Sequence, residues 1–198
     1  MPDAPPPPPP TNRAEPIIGH RSVYLRPAER TDVPRFVAWL TDARTTRTLA
    51  TIAPMSLALE ERWFDSLVER QGNDLWHFVI CRNADDRPVG GIDLHAIDSV
   101  NGTAGLGIVI GDPSDTDQGY GTDAMRAIVR FGFGRLRLER IWLDVDADND
   151  RARHVYERVG FVVEGVLRHA IFREGSHHDL VRMSLLRAEW AAARADGT

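Results

Sequence analysis

A glycine-rich turn between a β-like run and an amphipathic helical run constrains this chain more than any other feature. The turn spans residues 118–124, follows the apolar run 106–110, and leads into the helical run 124–133. Gly119 and Gly121 leave the backbone N–H groups at the positive end of the helix dipole uncovered, which suits a phosphate-bearing ligand. Glycines before a helix also occur in tight turns that bind nothing, so the turn alone leaves both interpretations open.

The composition is that of an ordinary globular domain. The chain has 198 residues, of which 42% are hydrophobic and 27% charged, and its net charge is −5. This charge argues against nucleic acid or an anionic membrane as partner and favours an amine substrate. Cys81 is the only cysteine, so an internal disulfide is impossible and a reducing cytosol fits. With no signal peptide or membrane span expected, the sequence predicts a cytoplasmic protein, monomeric or homodimeric.

The proline-rich start predicts a disordered or polyproline II tail over residues 1–15. We expect one domain over residues 16–192 and a short C-terminal tail over 193–198.

The domain itself alternates in a way that predicts a mixed α+β fold. Thr31-Asp32 and Ser56 are candidate caps of two helices, and Asn101-Gly102 indicates a hairpin. Strands are expected at 23–27, 76–81, 89–97, 106–110, 140–147, 161–168 and 179–186, and further helices at 120–134 and 150–159.

The glycine turn also matches the G-x-G-x-x-A pattern of dinucleotide-binding folds. That pattern requires the first glycine almost directly after a strand, within an early βαβ unit. Here the strand ends near Gly111, and a loop beginning at Asp112-Pro113 separates it from Gly119. The upstream strands also follow a hairpin pattern. A nicotinamide or flavin site is therefore disfavoured.

A second pattern follows in the helix 150–159. Ala152, Val155, Tyr156 and Val159 recur at helical spacing on one face, and Gly160 is a natural stop. Taken alone, this pattern equally suits a tyrosine that only packs in the core.

The glycine turn and the run from Asn149 to Phe161 together resemble the GNAT family of N-acetyltransferases. Within that family the chain looks like the branch of ribosomal-protein N-terminal and spermidine acetyltransferases. The resemblance covers about residues 22–190. It implies an α+β fold with a mixed sheet, splayed at its centre and flanked by helices, that holds acetyl-coenzyme A. It also implies acetyl transfer by direct attack in a ternary complex, to a peptide N-terminus or a small amine such as a polyamine or aminoglycoside.

The resemblance assigns cofactor contacts to three segments. These are Ile108, Val109 and Ile110 for the pantetheine arm, Gln118, Gly119, Tyr120, Gly121 and Thr122 for the pyrophosphate, and Asn149 at the start of the second helix.

The resemblance also implies the catalytic groups. Tyr156 would stand near the sulfur as the acid for the departing thiolate, and Asp144 lies where peptide-acetylating relatives carry a carboxylate base. A base is needed because a lysine-like amine, with a pKa of about 10.4, is mostly protonated at neutral pH. Asp93 and His95 are lesser candidates, since each could equally be a surface residue. The retained Tyr156 and Asn149 favour an enzyme over a non-catalytic acyl-coenzyme A-binding module, which is the alternative.

The sequence departs from the family pattern near the phosphate loop. Thr116 replaces a glutamine or arginine, the loop carries Asp112, Asp115 and Asp117 without a basic residue, and Gly105 stands where many relatives have a glutamate. Acids beside a pyrophosphate lower affinity. Adjacent histidines at 177 and 178 face opposite sides of a strand, so no metal is expected.

Overall fold

An eight-stranded sheet forms the centre of the computed structural model, which describes residues 16–47, 49 and 54–195. The predicted tail 1–15 lies outside the described residues. Along the sheet the strands follow the order β1-β2-β3-β4-β5-β6-β8-β7. The strands are β1 (Ile18–His20), β2 (Val23–Pro27), β3 (Leu75–Arg82), β4 (Pro88–Asp98), β5 (Thr103–Ile110), β6 (Arg140–Asp146), β7 (Val162–Arg173) and β8 (Ser176–Leu186).

Helices cover both faces of the sheet. They are α1 (Val33–Thr41), α2 (Ala43–Thr46), α3 (Leu57–Arg70), α4 (Tyr120–Arg135), α5 (Asp150–Val159) and α6 (Arg187–Ala195). In the part of the chain that the structure describes, no helix is both long enough and apolar enough to cross a lipid bilayer.

The sheet opens between β5 and β6, its only parallel neighbours within the described residues. Thr103, Ala104 and Gly105 of β5 pair with residues 140–142 of β6, and the pairing ends there. Beyond this point β6 pairs only with β8, and residues 106–110 continue paired with β4 alone. The predicted mixed α+β sheet, splayed at its centre, is therefore confirmed.

Alternating side chains give the sheet two different faces. On one face α4 is buried, with Met125, Ile128 and Phe133 fully inside the larger core. On the other face Phe36 of α1 and Phe64 of α3 pack against smaller clusters. The splay lies between these two layers, so a ligand in it can reach both faces.

Two predicted caps had different outcomes. Ser56 caps α3 as expected, because its Oγ accepts a hydrogen bond from the N–H of Leu59 at 3.2 Å. Asp32 makes no capping bond to α1. Its carboxylate instead accepts from the N–H of Glu29 at 2.9 Å and from both Nη atoms of Arg26 at 2.7 Å. The ion pair with Arg26, which the sequence does not reveal, takes the carboxylate away from the helix.

Some elements exceed the predicted boundaries. β1 and α2 were not predicted, and β7 runs to Arg173 because residues 171–173 pair with residues 176–178 across the turn at 174–175. α6 extends to Ala195 and so includes the described part of the predicted C-terminal tail.

Candidate active site

The open edge of β5 is the first component of the candidate site. Residues 106–110 have β4 on one side and, among the described residues, no strand on the other. Backbone groups on such an edge can pair with an extended ligand, as an added strand would. Ile108 and Ile110 are half-buried against the large core, which holds the edge in place. The predicted pantetheine contacts at Ile108, Val109 and Ile110 thus lie on this free edge.

The start of α4 presents unpaired amides next to this edge. Gly119 caps the helix in the left-handed conformation with φ 82°, and the N–H of Asp123 closes the first turn on its carbonyl at 3.0 Å. Within residues 54–195, the N–H groups from Gln118 to Thr122 have no acceptor. A Cβ at Gly121 would lie 3.9 Å from Cγ1 of Ile110. The helix start therefore lies beside the end of β5, and its unpaired amides fit a pyrophosphate.

Asp123 fixes this helix end to the β1–β2 turn. Its Oδ2 accepts from the N–H of Ser22 at 3.0 Å and from the Ser22 hydroxyl at 2.6 Å, and its Oδ1 lies 3.0 Å from Nδ1 of His20. Burial opposes ionisation of Asp123, but the hydrogen bonds from Ser22 and the nearby His20 hold the pKa of Asp123 below its ordinary value. Sequence reasoning missed this anchor.

The acidic loop before α4 is better compensated than the sequence suggested. Buried Asp115 forms a two-pronged ion pair with Arg87, and Asp112 accepts from the N–H of Ser114 at 2.8 Å. Asp117, exposed and with φ 60°, lies 3.8 Å from Arg151. The expected excess of negative charge is thus partly cancelled by arginines distant in sequence, so the penalty for binding a pyrophosphate is smaller than predicted.

Asn149 begins α5 at the other side of the splay. Its Oδ1 accepts from the N–H of Ala152 at 3.1 Å, so its first role is that of a helix cap. Its side-chain N–H groups have no acceptor among the described residues, which leaves a donor for the predicted cofactor contact.

Tyr156 lies on the inward face of α5. Its half-buried ring packs against the large core, 6.3 Å from the ring of Phe161. The hydroxyl has no hydrogen-bond partner among the described residues. Burial raises the pKa of Tyr156 to about 12, so the phenol is neutral throughout the physiological range.

Asp144, the expected base, is already engaged. Its two carboxylate oxygens accept from Nε and Nη2 of Arg182 at 2.8 and 2.6 Å, across the β6–β8 pairing. The same guanidinium lies over the ring of Trp142, with Cζ 4.4 Å from the ring centroid. Both carboxylate oxygens are therefore engaged within the β6–β8 pair, so neither faces an acceptor amine unpartnered.

Asp93 and His95, the lesser candidates for the base, form a hydrogen-bonded pair on β4. Nδ1 of His95 lies 2.7 Å from Oδ1 of Asp93, and the two residues point to the same face as Trp142, whose ring lies 5.7 Å from that of His95. His95 pairs with Gly105, where the parallel pairing of β5 and β6 ends. The Asp93–His95 dyad therefore lies at the apex of the splay, which is the point where β5 and β6 part.

Two segments close over the mouth of the splay. The Thr45 hydroxyl donates to the carbonyl of Gly111 at 2.8 Å, just past the end of β5. Arg173 donates to the carbonyl of Arg47 at 2.5 Å and forms an ion pair with Asp146, the last residue of β6. The α2 segment thereby bridges both walls. Residues 41–47 and the β7–β8 hairpin therefore meet here.

A group of possible metal ligands lies nearby. Asp146, Asp148 and His178 have ligand atoms within 4.8 Å of one another. Because Arg173 already neutralises Asp146, the group reads as part of the ion-pair network of the β7–β8 hairpin.

Comparisons with known proteins agree with this geometry. The Acetyltransferase (GNAT) domain family matches residues 22–162. Spermidine N(1)-acetyltransferase of Escherichia coli (strain K12) is 30% identical over 171 residues, which cover 86% of this chain and 89% of that protein. A protein of Bacillus subtilis, provisionally named ribosomal N-acetyltransferase YdaF, is 39% identical over 101 residues. That match spans 51% of this chain and only 55% of YdaF.

The fold has a close structural counterpart as well. The crystal structure of spermidine N-acetyltransferase from Vibrio cholerae, in complex with CoA and spermine, superposes with a TM-score of 0.80 at 25% identity. The alignment covers 86% of this chain and 98% of that one. Together with the family match, these findings bear out the enzyme prediction over the non-catalytic alternative. The chain belongs to the GNAT acetyltransferase family and is an acetyl-coenzyme A-dependent N-acetyltransferase.

Proposed function

We propose that the acceptor is the α-amine of a peptide N-terminus whose first residues carry carboxylates. The supporting observation is the charge of the mouth of the splay, formed by residues 41–47 and 166–178. These segments contain four arginines and three histidines against two carboxylates, Asp42 and Glu174. Arg47 and Arg168 are exposed and have no ion-pair partner among the described residues. They are placed to attract acidic side chains of an acceptor.

The carboxylates on the walls of the splay also favour a peptide α-amine over a polyamine. Asp144 lies against Arg182, and Asp146 lies against Arg173. A polyamine carries several ammonium groups, and each needs a carboxylate that is not already neutralised. An α-amine with a pKa of about 8 also loses its proton far more readily than a polyamine ammonium near 10.

In this proposal acetyl-coenzyme A spans the two components of the splay. Its pyrophosphate lies on the amides from Gln118 to Thr122, and its pantetheine arm pairs with Ile108, Val109 and Ile110. The side-chain amide of Asn149 donates to it from the opposite wall. Because these contacts come mostly from backbone groups, side-chain changes in the loop should alter affinity less than changes that add bulk.

The proposed role of Tyr156 is to hydrogen-bond the sulfur as it leaves. With a pKa of about 12, the phenol remains a neutral donor. Full transfer of its proton to a thiolate, whose ordinary pKa is about 8.5, would cost about 5 kcal/mol. Charge stabilisation by a hydrogen bond is therefore the better-matched role, with the sulfur receiving its proton as the amide nitrogen loses one.

A polyamine acceptor is the second candidate. The relatives named spermidine N-acetyltransferase cover nearly the whole domain, and one neighbour is a complex with spermine. The arginine-rich mouth argues against this acceptor here.

A cytoplasmic location accompanies the proposal. Cys81 is buried and unpaired, which suits a reducing compartment.

Mass spectrometry of the acetylated product tests the proposed acceptor. The substrate is a peptide with a free α-amine, carboxylates at its second and third positions, and one internal lysine. We expect the acetyl group on the α-amine, and no product from the same peptide with a blocked N-terminus. Acetylation of the lysine at equal rate would refute the proposal.

A double variant tests the charge argument. Arg47→Gln with Arg168→Gln should lower kcat/KM for the acidic peptide about tenfold or more and leave that for an uncharged peptide near wild type. Arg158→Gln, on the exposed side of α5, is the matched control. Equal losses for both peptides would contradict an electrostatic role.

A further inference from the structure

The side chain of His95 occupies a space that exists only because residue 105 is glycine. A Cβ at Gly105 would lie 2.4 Å from Nε2 of His95 and 2.8 Å from its Cδ2. Two residues on, a Cβ at Gly107 would lie 2.9 Å from Oδ2 of Asp93. Neither glycine has a positive φ, so backbone strain does not require glycine at either position. The two glycines make room for the dyad on the neighbouring strand.

The carboxylate of Asp93 interacts more closely with His95 than with its other histidine neighbour, His77. Asp93 also faces His77 of β3, but Nδ1 of His77 lies 4.0 Å from Oδ2 of Asp93. Burial lowers the pKa of His77, which packs 5.0 Å from the ring of Trp63, so His77 remains neutral. Within the described residues, His95 is therefore the basic side chain in direct hydrogen-bond contact with Asp93.

The remaining charges near His95 are already matched. Trp142 meets His95 edge-on from β6, and behind Trp142 lies the Arg182–Asp144 ion pair. Side-chain exposure of His95 is 38%, against 11% for His77, so the His95 ring is accessible from the splay. Asp93 at 2.7 Å from Nδ1 fixes the tautomer in which Nε2 is unprotonated, as carboxylates do for metal-binding and catalytic histidines.

We propose that His95, positioned by Asp93, is the base that removes a proton from the acceptor amine. This deepens the acetyl transfer described above and does not depend on which amine is used. The location at the apex, where β5 and β6 part, puts Nε2 beside the open edge on which the thioester is proposed to lie. Asp144, bound to Arg182, is structural in this scheme.

The proposed transfer conserves atoms and charge. The acceptor ammonium loses one proton to Nε2 of His95 and becomes a neutral amine. Its nitrogen attacks the thioester carbonyl carbon, so that the C–N bond forms and the C–S bond breaks. The second nitrogen proton leaves as the amide forms, and the sulfur gains one proton in the sulfhydryl product. His95 then releases its proton to solvent.

His95→Gln tests the base directly, with His154→Gln on the exposed face of α5 as the matched control. General-base catalysis contributes about a hundredfold or more, so kcat at pH 7 should fall by about that factor. The loss should shrink toward pH 10, where the amine deprotonates without help, and KM for acetyl-coenzyme A should stay unchanged. Asp93→Asn should give a smaller loss with the same pH trend. A His95→Gln enzyme within threefold of wild type at every pH would overturn the proposal.

Gly105→Ala provides an independent test. The added Cβ must displace the imidazole, so it should lower kcat in the wild-type background and have little further effect in the His95→Gln background. Free imidazole should partly restore a His95→Ala enzyme, which a purely structural histidine would not allow. Additive losses without rescue would refute the base. If the wild type acetylates spermine and not peptides, the proposed acceptor is wrong, and the same variants measured with spermine still decide the role of His95.

Discussion

Asp144 and Arg182 face each other on paired strands and share two hydrogen bonds of 2.8 and 2.6 Å, with the guanidinium stacked on Trp142. The pair joins β6 to β8 on the far wall of the splay. Its geometry is that of a structural ion pair, since both carboxylate oxygens are engaged.

Asp144→Asn should therefore reduce stability more than it changes the pH dependence of catalysis. Removing the charge of Asp144 weakens both hydrogen bonds to the partly buried Arg182, at a cost of about 1–2 kcal/mol. Thermal denaturation should show a drop of several degrees. Asp148→Asn, whose carboxylate side chain is 87% exposed, should show almost none. A hundredfold loss of kcat at unchanged melting temperature would instead make Asp144 the base.

Tyr156→Phe should lower kcat about tenfold to a hundredfold while the affinity for acetyl-coenzyme A stays near wild type. Phenylalanine keeps the ring packed against Phe161 and removes only the donor. Because the pKa of Tyr156 is about 12, the hydroxyl remains a donor well above pH 10, where an ordinary tyrosine ionises. The wild-type profile should accordingly show no loss from this group below about pH 11. Turnover within twofold of wild type would return Tyr156 to a packing role.

Asp117→Gly and Asp117→Asn separate charge from backbone strain in the phosphate loop. Both remove a negative charge near the α4 amides, so both should tighten coenzyme A binding in calorimetry. Glycine additionally relieves the positive φ of 60°, and only this variant should also raise the melting temperature. Weaker binding by both variants would assign Asp117 a role in holding Arg151.

Gly121→Val should fold normally and lose coenzyme A. The protein leaves room at this position, because the nearest atom to an added Cβ is 3.9 Å away. The added side chain would instead meet a pyrophosphate lying on the helix amides. Unchanged affinity in a normally folded variant would place the pyrophosphate elsewhere.

Asp123→Asn should destabilise the protein by about 2 kcal/mol at neutral pH, since it weakens charge-assisted hydrogen bonds to Ser22 and His20. The pKa of Asp123 is lower in the folded chain than in the unfolded one. Its contribution is therefore complete above about pH 4 and is lost as the pH falls through the folded-state pKa. Urea denaturation at pH 7 and pH 3 should show a smaller acid loss for Asp123→Asn than for wild type. Equal acid losses would contradict this linkage.

The parts of the fold that follow from local pattern could be predicted from the sequence. The Ser56 cap and the boundaries of α5 depend on residues within one helical turn, and the glycine turn correctly indicated the start of α4. The splay at the centre of the sheet was predicted from the family resemblance and not from local sequence pattern.

The partnerships across strands could not be predicted in this way. Asp144 meets Arg182, and His95 fills the space at Gly105, only once the register of the neighbouring strands is fixed. The same holds for Arg87, which neutralises Asp115 from 28 positions away in the sequence. From the sequence, glycine at position 105 indicated only that the glutamate of many relatives is missing. In the structure, the missing side chain leaves the space that His95 occupies.

The ratio of kcat/KM for two acceptors tests the proposed function most directly. One is a peptide with a free α-amine and acidic second and third residues, and the other is spermine, both measured by thiol release from acetyl-coenzyme A. We expect the peptide to be favoured at least tenfold, with an advantage that falls as salt is added, because the mouth of the splay is rich in arginine. A tenfold preference for spermine would contradict the proposed acceptor.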